Sequence, residues 1–220
     1  MRQKIKLGMT LILLIGIILL SRKLSQIVSN QEIESTEQMI VIDPGHGGED
    51  PGKVGVNGAL EKDINLQMAQ KLKVKLEANG IQVQMTRKDD GVPNSKKEDL
   101  KQRVSMIEKL QPALVVSIHQ NSFTDETVRG AQVFYYTESK EGEAAAQIVQ
   151  NCLQEFDPSN TRTIKGNTEY YMLKKVSAPI IIVECGFLSN AEEAESLILN
   201  EYQEEITESI CAGILKWLDK

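Results

Sequence analysis

The chain contains two histidines, His46 and His119, and each stands behind an apolar run. His46 follows Val41-Ile42-Asp43 inside the stretch IVIDPGHGGED, and His119 follows Val115-Val116-Ser117-Ile118. A third apolar run, Ile181-Ile182-Val183, ends in Glu184. A fourth residue, Glu61, opens a segment of helical periodicity, where the helix dipole favours a carboxylate. Two imidazoles and a carboxylate are suitable donors for a catalytic zinc ion, which uses three protein ligands and keeps one position open. A further carboxylate can then accept a proton from water. No His-Glu-x-x-His pattern joins these residues on one helix, so position alone leaves two readings: one shared metal site, or separate histidines on the surface or in supporting roles.

Other residues near these positions are weaker candidates. Asp43 could accept a hydrogen bond from an imidazole and orient it, or could brace the turn through backbone groups. Gly45, Gly47 and Gly48 permit the turn that aims His46. Asn121 suits either contact with a substrate or fixing of its own loop. Arg87 and Arg103 are read as structural or solvated before they are read as carboxylate binders. For Tyr135-Tyr136 and Tyr170-Tyr171 core packing is the default, with a saccharide-binding wall as the alternative. Cys185 beside Glu184 invites a thiol-nucleophile mechanism, but neither histidine stands in a known pairing with it.

The elements that must position these residues alternate. Met39–Asp43 reads as a strand, and Ile64, Met68, Leu72 and Leu76 form the stripe of a helix from Glu61 to about Asn79, closed by Gly80. Ile81–Thr86 is a strand, and Ser95 and Glu98 have capping-box spacing for a helix over 96–110. Ala113–Ile118 is an apolar strand buried on both faces, Gly130–Tyr136 another, and 139–156 a helix. After a polar loop over 157–167, the strand Ile180–Glu184 leads to a cap at Asn190 and helical sequence to Leu218, broken near Asn200, with Ile206, Ile210, Ile214 and Trp217 facing inward. This alternation predicts a single α/β domain, a mainly parallel twisted sheet flanked by helices on both faces, with its site at the carboxyl ends of the strands.

Residues 1–23 differ in kind. Arg2, Lys4 and Lys6 precede the apolar run Leu7–Leu20, which Ser21, Arg22 and Lys23 close. This is the pattern of an export signal. As a helix the run spans about 21 Å, short of the roughly 30 Å hydrocarbon core without help from flanking residues, yet no Ala-x-Ala-like cleavage site follows. Retained anchor, cleaved signal and buried helix are the three readings, in that order. Residues 24–38 read as a polar tether and 39–220 as the catalytic domain. The whole chain has 25 basic and 31 acidic residues, and without residues 1–23 the balance falls to about −11, which argues against a nucleic-acid partner. Cys152, Cys185 and Cys211 form neither a disulfide framework nor a zinc pattern.

Four ordered motifs carry a resemblance: Asp43-Pro44-Gly45-His46-Gly47-Gly48, Glu61-Lys62-Asp63, Ser117-Ile118-His119-Gln120-Asn121, and Val183-Glu184-Cys185-Gly186-Phe187-Leu188-Ser189-Asn190. Together they resemble the zinc-dependent N-acetylmuramoyl-L-alanine amidases of the amidase 3 type, over about Met39–Trp217. The resemblance implies one Zn2+ held by His46, Glu61 and His119, with Glu184 as catalytic base and peptidoglycan as substrate. It leaves Cys185 without a histidine to activate it. The compact form and the Glu184–Asn190 ending are similar to the spore-cortex members of the family. That likeness implies export to the outer face of the membrane or the space between the spore membranes. It also implies a functional pairing with a muramic acid deacetylase that allows muramic δ-lactam to form, and an accessory activating protein in the sporulation envelope. A vegetative amidase of cell separation or turnover, and a wall-binding regulator of low activity, are the alternatives.

Overall fold

The computed structural model describes residues 39–93 and 95–219. The strands are β1 Met39–Pro44, β2 Gln82–Met85, β3 Leu114–Asn121, β4 Gln132–Tyr136, β5 Lys165–Asn167 and β6 Ile180–Phe187. They form one sheet in the order β2-β1-β3-β6-β4-β5. The helices are α1 Glu61–Ala78, α2 Lys96–Leu110, α3 Lys140–Phe156, α4 Tyr171–Lys175, α5 Ala191–Leu197 and α6 Asn200–Leu218.

β1 pairs in parallel with β2 and β3, and β3 pairs in parallel with β6. The sheet is mixed, because β4 runs antiparallel to β6 and carries the short β5 on its outer side. An antiparallel strand at the margin of a parallel sheet is common, and the alternation of side chains does not encode a strand's direction. β5 lies in the stretch read from sequence as a loop; at three residues, one of them glycine, it has no periodicity to detect.

Side chains of even and odd positions divide the core into two layers. Ile40, Ile42, Leu114, Val116, Ile118 and Val183 pack with α1, α3 and α6, whose stripes include Met68, Leu72, Val149 and Ile210. Val41, Val115, Ile180 and Ile182 pack on the other face with Ile107 of α2 and with Met172 and Leu173 of α4. β3 and β6 lie at the middle of the sheet and are apolar almost throughout, as burial on both faces requires. On the second face the next positions along β1, β3 and β6 are Asp43, Ser117, His119 and Glu184, so the apolar layer gives way to polar groups at the strands' carboxyl ends.

Two local expectations change. Ser95 precedes α2 in extended conformation but its side chain makes no capping bond; Glu98 N donates to its backbone carbonyl at 2.9 Å instead. β3 and β6 run past the predicted ends, so His119 lies inside its strand rather than after it, and Glu184 lies within its strand rather than at its end. Among the described residues no helix is long and apolar enough to cross a membrane. The signal or anchor expected over 1–23 and the tether over 24–38 lie outside the described residues.

Candidate metal centre

The turn after β1 is held by two buried arginines. Arg103 Nη1 donates to the Pro44 carbonyl at 2.6 Å and Nη2 to the His46 carbonyl at 2.6 Å. Arg87 Nε donates to the Pro44 carbonyl at 3.0 Å and Nη2 to the Gly45 carbonyl at 3.1 Å. Three consecutive carbonyls at the end of β1 are thereby occupied. Asp43 completes the cluster, accepting from Thr86 Oγ1 at 2.6 Å, Ser117 Oγ at 2.7 Å and Arg103 Nη1 at 2.9 Å. Asp43 therefore contacts neither imidazole: it anchors Arg103, which holds the His46 turn. Burial opposes ionisation of Asp43, but Arg103 and the two hydroxyls bring its pKa down to about 2.

His46 takes a positive φ of 62°, an uncommon conformation for a residue with a Cβ. Gly47 and Asp50 exchange backbone hydrogen bonds at 3.0 Å in each direction and close the turn behind it. The result swings Asp50 back beneath the imidazole, with Oδ2 3.0 Å from His46 Nδ1. Gly45 has to be glycine for a different reason: a Cβ there would lie 2.2 Å from His119 Cε1.

Glu61 is the first residue of α1 and is buried. Its Oε2 accepts from Lys53 N at 2.7 Å and its Oε1 from Gln120 N at 3.1 Å. His119 Nδ1 lies 3.0 Å and His46 Nε2 3.2 Å from the same Oε1. Burial alone would raise the Glu61 pKa, but the hydrogen bonds and charges of the two histidines hold it well below the usual carboxylate range. Burial opposes protonation of His119, but Glu61, together with the charges of Glu184 and Asp43, raises its pKa.

One ligand atom from each of His46, Glu61 and His119 falls within 4.8 Å of the others. Donors at about 2.0–2.2 Å around a tetrahedral zinc ion stand roughly 3.4 Å apart, so the 3.0 and 3.2 Å separations suit an ion at their centre. Glu184 lies beside them because the β3–β6 register pairs its Cα with that of His119. Its Oε2 is buried without a hydrogen-bond partner among the described residues. Burial and the Glu61 charge raise its pKa to about 7 despite the two histidines. A buried acceptor left without a donor is costly, and a carboxylate so perturbed inside a cleft is a candidate functional group.

These side chains line a cleft of about 400 Å³. Asn121 lines it too, but its Oδ1 accepts from Ser122 N at 2.8 Å and so holds its own loop. Tyr170 and Tyr171 stand at the cleft with 40% and 36% exposure, whereas Tyr135 and Tyr136 pack against the core. Cys185 is fully buried and points to the opposite layer, where burial pushes its thiol far above the usual range. No thiolate nucleophile is available there. Asp50 was the functional neighbour that sequence reasoning missed, since nothing in its spacing announces a bond to His46.

The N-acetylmuramoyl-L-alanine amidase family, amidase 3, matches residues 40–216. The chain belongs to that family. Members are zinc-dependent enzymes that hydrolyse peptidoglycan, and the His/Glu/His cluster of this amidase is compatible with a metal site. Among its relatives, a germination-specific N-acetylmuramoyl-L-alanine amidase of Bacillus subtilis is 38% identical over 82% of this chain and 79% of its own. The solved structure of the CwlD amidase from Clostridioides difficile in complex with the GerS lipoprotein matches with a TM-score of 0.80 and 35% identity. It covers 83% of this chain and 98% of that one. The catalytic domain of the amidase CwlV from Paenibacillus polymyxa gives a TM-score of 0.75 at 31% identity, covering 83% and 98%.

Proposed function

We propose that this amidase hydrolyses the amide between the lactyl group of muramic acid and the L-alanine of peptidoglycan stem peptides, with His46, Glu61 and His119 holding one zinc ion and Glu184 as the base. The observation that carries this reading is Glu184 itself: a buried carboxylate with a free oxygen and a pKa near 7, in register with a histidine of the metal cluster. A bound zinc ion supplies Lewis acidity toward the scissile carbonyl and the attacking water. Glu184 takes one proton from that water as its oxygen bonds to the carbonyl carbon. It then delivers the proton to the leaving nitrogen as the carbon–nitrogen bond breaks. A buried carboxylate with one oxygen free, in register with His119, is placed for both transfers. The products are a lactyl carboxylate and a stem peptide with a free amine. Tyr170 and Tyr171 offer aromatic faces against which a saccharide ring packs.

Its occasion, in this reading, is the spore cortex, where removing whole stem peptides lets a muramic acid deacetylase complete the δ-lactam. The name of the germination-specific relative and the CwlD amidase's complex with a lipoprotein support that role, and support an accessory protein for this chain as well. Export to the outer face of a membrane follows from the same role and from the basic and apolar pattern of residues 1–23.

The chemistry is tested by digesting purified peptidoglycan with the zinc-supplemented protein and its Glu184→Gln variant, with mass spectrometry of the products. Intact stem peptides released by the wild type alone are expected. Equal release by both proteins would remove Glu184 from the mechanism. The cellular role is tested by deletion: spores with cortex lacking δ-lactam are expected, and ordinary lactam content would overturn it.

A further inference from the structure

We infer that Asp50 is the positioning residue of the metal centre: it fixes His46 with Nδ1 protonated and Nε2 turned to the ion, and so sets zinc affinity. The inference rests on the reading of His46, Glu61 and His119 as zinc ligands, and deepens it. Three observations converge on Asp50. Its Oδ2 lies 3.0 Å from His46 Nδ1, while His46 Nε2 faces the shared Glu61 oxygen at 3.2 Å. Its position is fixed from several sides, since Oδ1 accepts from Gly52 N at 3.2 Å and Lys96 Nζ lies 2.9 Å from Oδ2. Its backbone closes the turn on Gly47 in both directions. A carboxylate whose oxygens already take an amide and an ammonium can only accept, so the bonded nitrogen of His46 must carry the proton.

The two histidines reach the cluster by different means. His119 sits inside a strand and offers Nδ1, so the sheet determines where that nitrogen points. His46 sits in a turn at positive φ and offers Nε2, the nitrogen farther from its backbone. It therefore depends on a side-chain contact to fix its ring. An acceptor on the far nitrogen both selects the tautomer and strengthens the ligand, and removing such a partner characteristically weakens metal binding about 10- to 100-fold.

The test uses the full chain in detergent, labelled with 15N at histidine; with two histidines in the sequence, each ring signal is assignable. Zinc affinity is measured by competition with a chromophoric chelator for wild type, Asp50→Ala and Asp50→Asn. Ring N–H signals are recorded for the zinc-loaded proteins. Expected are a His46 Nδ1–H protected from solvent exchange in the wild type, and loss of that protection with about 10- to 100-fold weaker zinc binding in Asp50→Ala. Asp50→Asn, which keeps an acceptor of the same shape, should recover part of both. The inference is overturned by an Nε2–H signal on zinc-loaded His46, or by wild-type affinity and protection in Asp50→Ala. Absence of zinc binding by the wild type would instead remove the ligand assignment beneath it, so the two failures are distinguishable.

Discussion

Glu184 is held where a carboxylate is least comfortable, and that discomfort is measurable. Its folded pKa of about 7 stands above the ordinary carboxylate value, so the folded protein binds this proton more tightly than the unfolded chain does. Its contribution to stability is favourable below the unfolded pKa and is lost as pH rises toward 7. In the metal-free protein, Glu184→Gln should therefore raise stability at pH 8, by on the order of 3 kcal/mol, and much less at pH 4. Urea denaturation at the two pH values checks this; an equal change at both would show that the carboxylate is not strained in the fold. That His46, His119, Glu61 and Glu184 would meet was legible, because each polar residue stood where an apolar run gave way or a helix opened. Asp50 and the role of Asp43 were not. Which carboxylate meets which imidazole depends on the backbone turn at His46, and a positive φ on a histidine leaves no trace in residue order.

Among the elements, α2 matters more to the site than its distance in sequence suggests. Arg103 projects from it into the strand ends and occupies the carbonyls of Pro44 and His46 as well as the Asp43 carboxylate. Arg103→Met would leave Asp43, 2% exposed, as a buried charge with only two hydroxyl donors, and would release the turn that aims His46. Breaking a buried pair in this way costs about 3–5 kcal/mol. The deficit should depend on pH with a definite sign. The wild-type pKa of Asp43 is depressed, so its stabilising contribution is complete above the unfolded value and is lost as pH falls toward 2. The gap between Arg103→Met and wild type should accordingly be largest at pH 7 and narrow by pH 3, as measured by denaturant unfolding. A gap independent of pH would mean that lost packing, not the ion pair, explains the defect. Helix α1 was readable from its stripe and β3 from its apolar run, but the arginine roles were not. Periodicity reports which face of α2 is apolar, and it does not report that a charge on its margin reaches 4% exposure among backbone carbonyls.

At the scale of the molecule, the site stands at the carboxyl ends of the strands, and the larger core layer beneath it is closed by α6. Ile206, Ile210 and Ile214 of α6 are fully buried against the stripes of α1 and α3. Burying a large aliphatic side chain is worth about 1.5–3 kcal/mol, so these three supply roughly 5–9 kcal/mol, comparable to the whole stability of an ordinary domain. α6 carries no residue of the cleft, yet the cleft should not survive without it. The two core layers lie within residues 40–218, and the domain proposed from sequence, 39–220, contains both. Expressed alone, residues 39–220 should unfold in one cooperative transition and bind one equivalent of zinc, which calorimetry and metal analysis would record. Ending the same domain at Leu199 should abolish both the transition and the zinc, because His119 and Glu184 are aligned by strands that need their outer layer to stay flat against the helices. Retained zinc in that shorter form would show that β1, β3 and β6 hold their register without α6, and would place the stability of the centre in the layer of α2 and α4 instead.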